Sequence, residues 1–528
     1  MSKAKKPTIL SEPDAAGKKK RLGELSAEVE AGGGEKSIAR QRERGKMLAS
    51  ERAAYLFDKG TFQEMDRYMG SSRKLPRAGV LTGWGKIEGR PAVVIANLND
   101  VKAGAWYPET IRKILKAQDY SREQMIPVIF LVDCAGLFLP EQDQSFPDKE
   151  HAGGIFYRMS QNSGLFPQVA GVFGPCVAGG AYVPGLADFA PMVAGRASLF
   201  LGGPKLTQAA VGEQIGEQEL GGAKVHCEVS GIGDMEVESD QACLDSIRRF
   251  LSYLPTNFRE APPARASEDP PERSTPEIEN AVATDRRKVY DMHKVIGPLV
   301  DKGSFFELRP RFGRQLLTGF ALLGGKPVGI VANQPHFMGG ILDTAASDKG
   351  AWFISLCDSF NVPLLFLMDV PGFLVGSKAE HRGIIHSGAR MIQNLSRASV
   401  PKFTVVVRKA YGAGYYAMCG ASFGPERIFA LPTAEVGVMS PAQVGSVVYG
   451  EKLEAAQGDE KKKLEDEMNA VMAHHEETLS VETAASRGWI DEIISPENLR
   501  ARLCAEMSLS ARKGLKTPPP GKRPVEPV

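Results

Sequence analysis

Two short runs of small residues are the parts of this sequence in which the backbone itself could do chemistry. Residues 174–180 read Gly-Pro-Cys-Val-Ala-Gly-Gly, and residues 409–414 read Lys-Ala-Tyr-Gly-Ala-Gly. Each run follows an apolar stretch that predicts a strand (168–173 and 402–407) and precedes a predicted helix. The amides of a first helical turn lack partners within the helix and lie at the positive end of its dipole.

The chemistry predicted for these runs is the binding of an oxygen that gains negative charge. Side chains of zero or one carbon let a ligand oxygen approach the backbone closely, and one preorganised donor stabilises a transition state by about 2.7–4 kcal/mol. Tight packing of a helix against a strand also explains these glycines, so the residues alone leave both interpretations open. Neither run has the spacing of a dinucleotide-binding or phosphate-binding loop.

Other polar residues give weaker signals. His381 and His386 are five positions apart, so they share a face on neither a helix nor a strand. Because no cluster of acidic, His and Cys residues completes a ligand set, we predict no metal site. Asp133 and Asp369 each follow a predicted strand and are candidate acid–base groups, although a structural role in the turn explains them at least as well.

Both runs belong to a repeat that covers most of the chain. Residues 81–83 read Leu-Thr-Gly, as do residues 317–319, which lie 236 positions later. The spacing becomes 234 between Gly180 and Gly414. Insertions in the loops of a duplicated domain produce such a drift, so the sequence predicts two copies of one fold.

Each half alternates short apolar strands with helices. Residues 128–132 and 364–368 are apolar throughout and lead into Asp-x-x-Gly, which is typical of strands buried on both faces. Residues 384–395 predict a helix. The fold class is therefore α/β, with two tandem domains. We expect a disordered leader at 1–34, domains at 35–260 and 286–515, a Pro-rich linker at 261–285 and a disordered tail at 516–528.

Composition excludes several classes of protein. A chain of 528 residues is too long for one core, and a net charge of +2 provides no basic field for nucleic acid. No run approaches the roughly 18 apolar residues that would span a membrane. The seven Cys form no C-x-x-C pair, and the N-terminus has no secretory apolar region; both features favour reduced thiols and a cytoplasmic location.

Ordered motifs in both halves resemble one family. The first half contains Gly-Pro-Cys-Val-Ala-Gly-Gly-Ala-Tyr-Val-Pro (174–184), Phe-Leu-Gly-Gly-Pro (200–204), Glu-Leu-Gly-Gly-Ala-Lys-Val-His (219–226) and Ser-Gly-Ile-Gly-Asp (230–234). The second contains Asp-Val-Pro-Gly-Phe-Leu-Val-Gly (369–376), His-Ser-Gly-Ala-Arg (386–390), Arg-Lys-Ala-Tyr-Gly-Ala-Gly (408–414) and Arg-Gly-Trp-Ile-Asp-Glu-Ile-Ile-Ser-Pro (487–496). Over roughly residues 35–510 the sequence resembles the carboxyltransferase (beta) subunits of biotin-dependent acyl-CoA carboxylases, of the propionyl-CoA and methylcrotonyl-CoA types.

The resemblance implies a crotonase-like fold of repeated ββα units in each half. It implies a homo-oligomer, usually a hexamer, with each active site built at a dimer interface. The first domain would bind acyl-CoA. There, Gly179 and Gly180 would form the oxyanion hole for the thioester, with Ala181 and Gly136 in the same acyl-CoA site.

For the second domain the resemblance implies a biotin site. Ala413 and Gly414 would form the oxyanion hole for the ureido oxygen of carboxybiotin, with Gly372 and Phe373 beside it. The ureido anion left after CO2 release would take the α-proton, so proximity and oxyanion stabilisation replace a side-chain base. The sequence has no Ala-Met-Lys-Met-like biotin attachment site and no ATP-grasp pattern. A biotin carboxylase and a biotin carboxyl carrier are therefore the expected partners.

Some segments depart from the family pattern. Many relatives have Asp-Ser-Gly-Gly-Ala where residues 133–137 read Asp-Cys-Ala-Gly-Leu. Residues 412–416 (Gly-Ala-Gly-Tyr-Tyr) and 146–151 look like the methylcrotonyl type, whereas residues 333–335 and 369–372 look like the propionyl type. The resemblance thus leaves the acyl group open.

Three other functions remain open at this point. A biotin-dependent decarboxylase subunit of the glutaconyl-CoA type would run the same half-reaction backwards, and a neighbouring membrane-pump gene would favour it. A crotonase hydratase or isomerase would place Glu near the turns, but none occurs within 174–184 or 409–418. A non-catalytic crotonase-fold scaffold would have decayed sites, whereas both turns are intact.

Overall fold

The computed structural model describes residues 15–282, 285 and 288–514, and each half of the chain folds around one eight-stranded sheet. The first sheet contains β1 (Gln63–Met65), β2 (Val80–Ile87), β3 (Arg90–Asn97), β4 (Val128–Cys134), β5 (Gln168–Val177), β6 (Pro191–Val193), β7 (Ser198–Phe200) and β8 (Met235–Val237). The second contains β9 (Phe306–Leu308), β10 (Leu316–Leu323), β11 (Lys326–Asn333), β12 (Leu364–Val370), β13 (Lys402–Tyr411), β14 (Arg427–Ala430), β15 (Glu435–Gly437) and β16 (Glu492–Ile493).

The two sheets share one topology. Their strand orders are β1-β2-β3-β4-β5-β6-β8 and β9-β10-β11-β12-β13-β14-β16, with β7 beside β5 and β15 beside β13. In both, the first two pairs are antiparallel and the following pairs are parallel. Val93 lies opposite Val128, and Gly329 lies opposite Leu364. The predicted α/β class and the duplication are therefore confirmed.

Helices lie between the strands along the chain, and the predicted helix at 384–395 is present as α15. The helices are α1 (Ala15–Glu30), α2 (Glu35–Glu43), α3 (Ala49–Leu56), α4 (Pro108–Gln124), α5 (Ala152–Asn162), α6 (Tyr182–Gly185), α7 (Pro204–Val211), α8 (Glu217–Gly221), α9 (Ala223–Val225), α10 (Asp240–Leu251), α11 (Glu277–Ala281), α12 (His293–Leu299), α13 (Thr344–Ser359), α14 (Ser377–Glu380), α15 (Ile384–Arg397), α16 (Gly412–Ala417), α17 (Pro441–Ala455), α18 (Gly458–Leu479), α19 (Val481–Ser486) and α20 (Pro496–Ala511). Within the described ranges, no helix combines the length and apolarity needed to cross a membrane.

An aromatic cluster joins the two halves. Phe189 stacks on Phe250 with ring centroids 4.5 Å apart, and Phe250 contacts Phe320 at 5.8 Å. Tyr253 stacks on both Phe306 and Phe320. All five rings are buried, and aromatic pairs of this kind add about 0.5–1.5 kcal/mol each beyond the burial of their area. The two sheets thus share one core at their seam.

The expected disordered leader is corrected over part of its length. Residues 15–30 form α1, and Arg77 holds its end by donating to the carbonyl of Val29 at 2.7 Å and pairing with Glu30 at 3.0 Å. Val29 is buried. The sequence of the leader, with its mixed charges, gave no sign that Arg77 would bind the end of this helix. Residues 1–14 and the expected tail at 516–528 lie outside the described residues, and the remaining domain boundaries stay predictions.

The buried cation of Arg500 binds the segment between the halves. Arg500 donates to the carbonyls of Leu299 (2.9 Å), Pro270 (3.2 Å) and Asp269 (3.3 Å), and it pairs with Asp301 at 2.6 Å. Its side chain is fully buried. A buried ion pair is stable only while both partners and their hydrogen bonds remain, so Arg500 fixes the linker against the second domain.

Arg500→Ala is expected to lower the free energy of unfolding by about 3–5 kcal/mol, because it leaves Asp301 buried without its cation. Arg502→Ala is the control. Arg502 is 40% exposed and pairs with Glu492 and with Glu506, which keeps Arg427 as a second partner, so its loss should cost no more than about 1 kcal/mol. Urea denaturation followed by circular dichroism measures both variants, and equal effects would contradict the role assigned to Arg500.

Candidate active site

Both predicted turns are shorter than expected. β5 continues to Val177 and β13 to Tyr411, so residues 174–177 and 409–411 belong to strands. These extensions are strands because the end of β5 pairs in parallel with the three-residue strand β7, and the end of β13 pairs in parallel with the three-residue strand β15. Each turn then begins at one residue in the left-handed conformation, Ala178 (φ 53°) in the first half and Gly412 (φ 56°) in the second.

The small residues of each turn lie in the first turn of a helix. Residues 178–181 form a 3₁₀ turn that runs into α6, and α16 begins at Gly412. Amides at these positions have no acceptor within their own helix. Gly180 and Gly414 are buried, whereas Gly179 is partly exposed and Ala413 is exposed. Each turn therefore presents backbone amides at the protein surface.

The backbone at Ala178 is strained. A residue with a side chain adopts the left-handed conformation at a cost of roughly 1–3 kcal/mol, whereas the equivalent Gly412 adopts it freely. Such strain persists where the surrounding structure requires the geometry. Twelve other non-glycine residues in the described part of the chain also have a positive φ, so this strain does not by itself decide between a functional turn and tight packing.

The two buried glycines have little space for a side chain. A Cβ on Gly414 would lie 2.7 Å from Cγ2 of Val370 and 3.1 Å from Cα of Gly372. A Cβ on Gly180 would lie 3.3 Å from Sγ of Cys176. Gly414 is therefore locked against the neighbouring strand, and Gly180 accepts an added atom only if Cys176 moves.

The loops predicted to flank the turns contain glycines with positive φ. Gly136 has a φ of 93° and Gly372 a φ of 131°, which favour glycine. Their carbonyls accept hydrogen bonds from the amides of Trp106 (2.9 Å) and Leu342 (3.0 Å). The amide of Gly136 donates to Sγ of Cys134 at 3.3 Å. That amide thus already has a weak acceptor inside the protein.

A buried carboxylate lies near the end of β4, beneath the first turn. The two oxygens of Asp133 accept from Nζ of Lys46 at 3.0 and 2.9 Å, and Arg52 lies 3.5 Å away. The amide of Asp133 donates to the side-chain oxygen of Asn97 at 3.4 Å. Gly174 leaves room for the pair, since a Cβ there would lie 2.1 Å from Oδ1 of Asp133.

The equivalent carboxylate of the second half is Asp369, near the end of β12. Arg408 donates to Oδ2 of Asp369 at 3.1 Å through Nε, and the amide of Lys409 donates to Oδ1 at 3.2 Å. The amide of Asp369 donates to Asn333, which repeats the bond made by Asn97. These ion pairs favour the structural role over the acid–base role for Asp133 and Asp369, because each carboxylate neutralises buried cations.

The sequence did not reveal the cations that neutralise these two aspartates. The repeat itself contained one signal. At the spacing of 234 that aligns the two turns, Arg408 aligns with Gly174. The first half therefore lacks, on its own strand, the cation that Arg408 provides in the second half. Lys46 and Arg52, which precede the first sheet, take its place.

Two thiols lie beneath the first turn. Cys134 and Cys176 are opposite each other on β4 and β5, and both are buried. Burial raises the pKa of the Cys134 thiol to about 12 and raises the pKa of Cys176 well above its usual range. Only a thiolate is a strong nucleophile, so these residues fill space.

The two histidines considered as metal ligands lie on separate elements. His381 follows α14, and His386 lies in α15. Among residues 15–282, 285 and 288–514, no group of three or more His, Cys, Asp or Glu residues is arranged to hold a metal ion.

A duplicated α/β fold of this kind is found in known carboxyltransferases. The crystal structure of the transcarboxylase 12S hexamer with methylmalonyl-coenzyme A and methylmalonic acid bound superposes with a TM-score of 0.91, at 33% identity, over 99% of this chain and all of that one. The fold is thus that of the two-domain, crotonase-like carboxyltransferases, as the resemblance implied.

Sequence comparisons give the family. Residues 40–525 match the carboxyl transferase domain model. The chain is 41% identical to the carboxyltransferase subunit of propionyl-CoA carboxylase from Haloferax mediterranei, over 93% of this chain and 96% of that protein. It is 38% identical to methylmalonyl-CoA decarboxylase subunit alpha from Propionigenium modestum, over 96% of this chain and 98% of that protein. The chain belongs to the carboxyl transferase family, and the prediction of a carboxyltransferase of the biotin-dependent acyl-CoA carboxylase type is confirmed.

Asp369→Asn is expected to lower the free energy of unfolding by about 3–5 kcal/mol, because it leaves Arg408 buried without its carboxylate. Glu492→Gln is the matched control, since it removes a carboxylate that is 40% exposed and pairs with Arg502; its effect should stay within about 1 kcal/mol. Thermal and urea unfolding measure both. If Asp369→Asn unfolds like the control, the ion pair does not support the second turn.

Proposed function

We propose that this chain transfers the carboxyl group of carboxybiotin to the enolate of an acyl-CoA, with the thioester at the first turn and biotin at the second. One observation carries the proposal. The two halves hold equivalent turns, each with a left-handed residue and a buried glycine at the start of a helix. Carboxyl transfer must stabilise two oxygens that gain negative charge, and this fold offers one backbone site for each.

In the first half, the proposed donors to the thioester oxygen are the amides of Gly179 and Gly180, with Ala181 beside them. Gly136 shapes the adjacent loop. Because its amide donates to Cys134, its contribution is the positive φ and the carbonyl that holds Trp106. We therefore propose that Gly136 forms part of the wall of the acyl-CoA site and does not donate its amide to the ligand.

In the second half, the proposed donors to the ureido oxygen are the amides of Ala413 and Gly414. Space is open beside Gly372, since among the described residues other than its chain neighbours no atom lies within 4 Å of a Cβ built there. Phe373 packs on Gly388 and adds an apolar surface. Carboxybiotin supplies the carboxyl group when it is bound here, and these residues bind and orient it.

The locked aspartates support a reaction without a side-chain base. Asp133 and Asp369 lie near the strand ends beside the turns, and both are held by cations. This fits a reaction that uses neither aspartate as a base. The family resemblance implies that the ureido group takes the α-proton.

Exposed apolar side chains near the turns support a site completed by a second copy. Tyr182 and Tyr416 are about half exposed, and Val375 and Val438 are exposed by 82% and 70%. Their exposure at both turns fits a surface that a second copy covers, and transcarboxylase 12S is a hexamer. We propose a hexamer in which the first half of one copy faces the second half of another, served by a separate biotin carboxylase and carrier.

A decarboxylase subunit is the second candidate. The relative from Propionigenium modestum is named methylmalonyl-CoA decarboxylase subunit alpha. It would use the same turns in the reverse direction, removing a carboxyl group from an acyl-CoA. The geometry of the turns suits both directions, because an oxyanion site stabilises the same enolate from either side.

The proposal includes a cytoplasmic location. All seven cysteines are free and buried. Free thiols in this number are typical of a reducing compartment. Fractionation of the native cells tests it, and recovery outside the cytoplasm would contradict it.

Purified protein is expected to fix labelled bicarbonate into propionyl-CoA or 3-methylcrotonyl-CoA when a biotinylated biotin carboxylase and ATP are present. Acid-stable label in the acyl-CoA product is the measurement. Absence of label while the partner makes carboxybiotin would contradict the carboxylase direction. CO2 release from methylmalonyl-CoA with a biotinylated carrier would then identify the decarboxylase.

Gly180→Val and Gly414→Val are each expected to lower kcat by at least about 100-fold, because the added side chain displaces the amide that is the proposed oxyanion donor. Gly185→Ala is the control, since Gly185 ends α6 and, among the described residues outside that helix and its chain neighbours, no atom lies within 4 Å of the added Cβ. Size-exclusion chromatography and Tm values separate loss of the fold from loss of the site. Normal turnover in Gly414→Val would refute the assignment of the second turn.

A further inference from the structure

We propose that Phe156 limits the size of the acyl group, so that the substrates of the first turn are short acyl chains on CoA. The inference rests on the proposed function of that turn. The backbone amides cannot select among acyl groups, because an amide donor meets the same thioester oxygen in every acyl-CoA. A side chain outside the turn must therefore distinguish the acyl groups by size.

Phe156 lies on α5 and its ring edge faces the first turn. A Cβ built on Gly179 would lie 3.2 Å from Cζ and 3.6 Å from Cε2 of Phe156. Within the part of the chain that the structure describes, and leaving out the adjacent residues, these are the only atoms within 4 Å of that point. A ligand group that extends from this turn towards the Cβ position of Gly179 therefore meets the ring.

The ring is held in place by its neighbours. Tyr182 packs on it at 5.6 Å in an edge-to-face arrangement, and Trp106 lies 6.4 Å away. Trp106 is buried. Ile155 and Met159, on the same helix, are fully buried and anchor α5. A longer acyl chain would have to displace a ring that is packed on several sides.

The wall formed by Phe156 is not a general feature of the repeat. In the second half, the aromatic residue beside the turn is Phe373, which lies in the loop after β12 and packs on Gly388 of α15. Its counterpart in the first half, 236 positions earlier, is Leu137. The two halves thus place aromatic rings on different elements, and the ring on α5 belongs to the acyl-CoA side.

The position of Phe156 determines which acyl groups fit. With the thioester oxygen at the amides of Gly179 and Gly180, the first acyl carbons lie within a few bond lengths of the ring edge. A short chain, straight or branched, fits against the ring, and each further methylene presses on it. One methylene in a fitted apolar pocket changes kcat/KM by about 10-fold to 200-fold.

The test compares kcat/KM for propionyl-CoA and octanoyl-CoA in the complete system with a biotinylated biotin carboxylase. Phe156→Ala is expected to raise the octanoyl-to-propionyl ratio by at least about 10-fold, and Phe156→Leu by less. Tyr157→Ala is the matched control, because Tyr157 is the next residue on α5 and is 66% exposed. It should leave the ratio unchanged.

The outcomes separate the two proposals. Wild-type protein that carboxylates no acyl-CoA would refute the proposed function itself. Wild-type protein that turns over propionyl-CoA, with the same ratio in Phe156→Ala, would overturn the role of Phe156 alone, as would a wild-type preference for octanoyl-CoA. If Phe156→Ala is inactive, calorimetric affinities of the two acyl-CoAs for Phe156→Leu decide, and an unchanged relative affinity overturns the proposal.

Discussion

A buried carboxylate at the end of a central strand is the constraint on which each half of this molecule depends. Removing a carboxylate from water costs several kcal/mol unless a cation and hydrogen bonds compensate, so the chain must bring a cation to Asp133 and to Asp369. Each pair ties the end of one strand to its surroundings at the point where the flanking loop begins. The glycine of that loop and the turn beside it are positioned as a result.

The duplicated halves meet this constraint differently. In the second half, Arg408 comes from the adjacent strand β13 and needs no other element. In the first half, Gly174 stands at that position, and Lys46 reaches Asp133 from 87 residues earlier in the chain. The segment before the first sheet is therefore part of the support of the first turn.

If the proposed amides of the two turns carry the chemistry, stabilisation of the oxyanion is separate from recognition of the ligand. Both halves have a residue with positive φ where the turn begins, Ala178 and Gly412. The surrounding side chains can then diverge without loss of the donors. Phe156 on one side and Phe373 on the other are such divergent neighbours.

The sequence by itself determined the duplication, the α/β class, the buried strands at 128–132 and 364–368, and the places where the two turns occur. The strands and turns are local signals, because a run of apolar residues or a cluster of glycines is recognisable without knowing what packs against it. The duplication is recognisable because the same residues recur in the same order. Only the tertiary structure decided that β5 and β13 continue to Val177 and Tyr411. The strands that pair with these extensions, β7 and β15, have three residues each, and strands this short leave no recognisable pattern in the sequence. The tertiary structure also decided that Lys46 neutralises Asp133 and that Phe156 borders Gly179. Those contacts join residues far apart in the chain, and no local pattern specifies which distant side chain fills a given space.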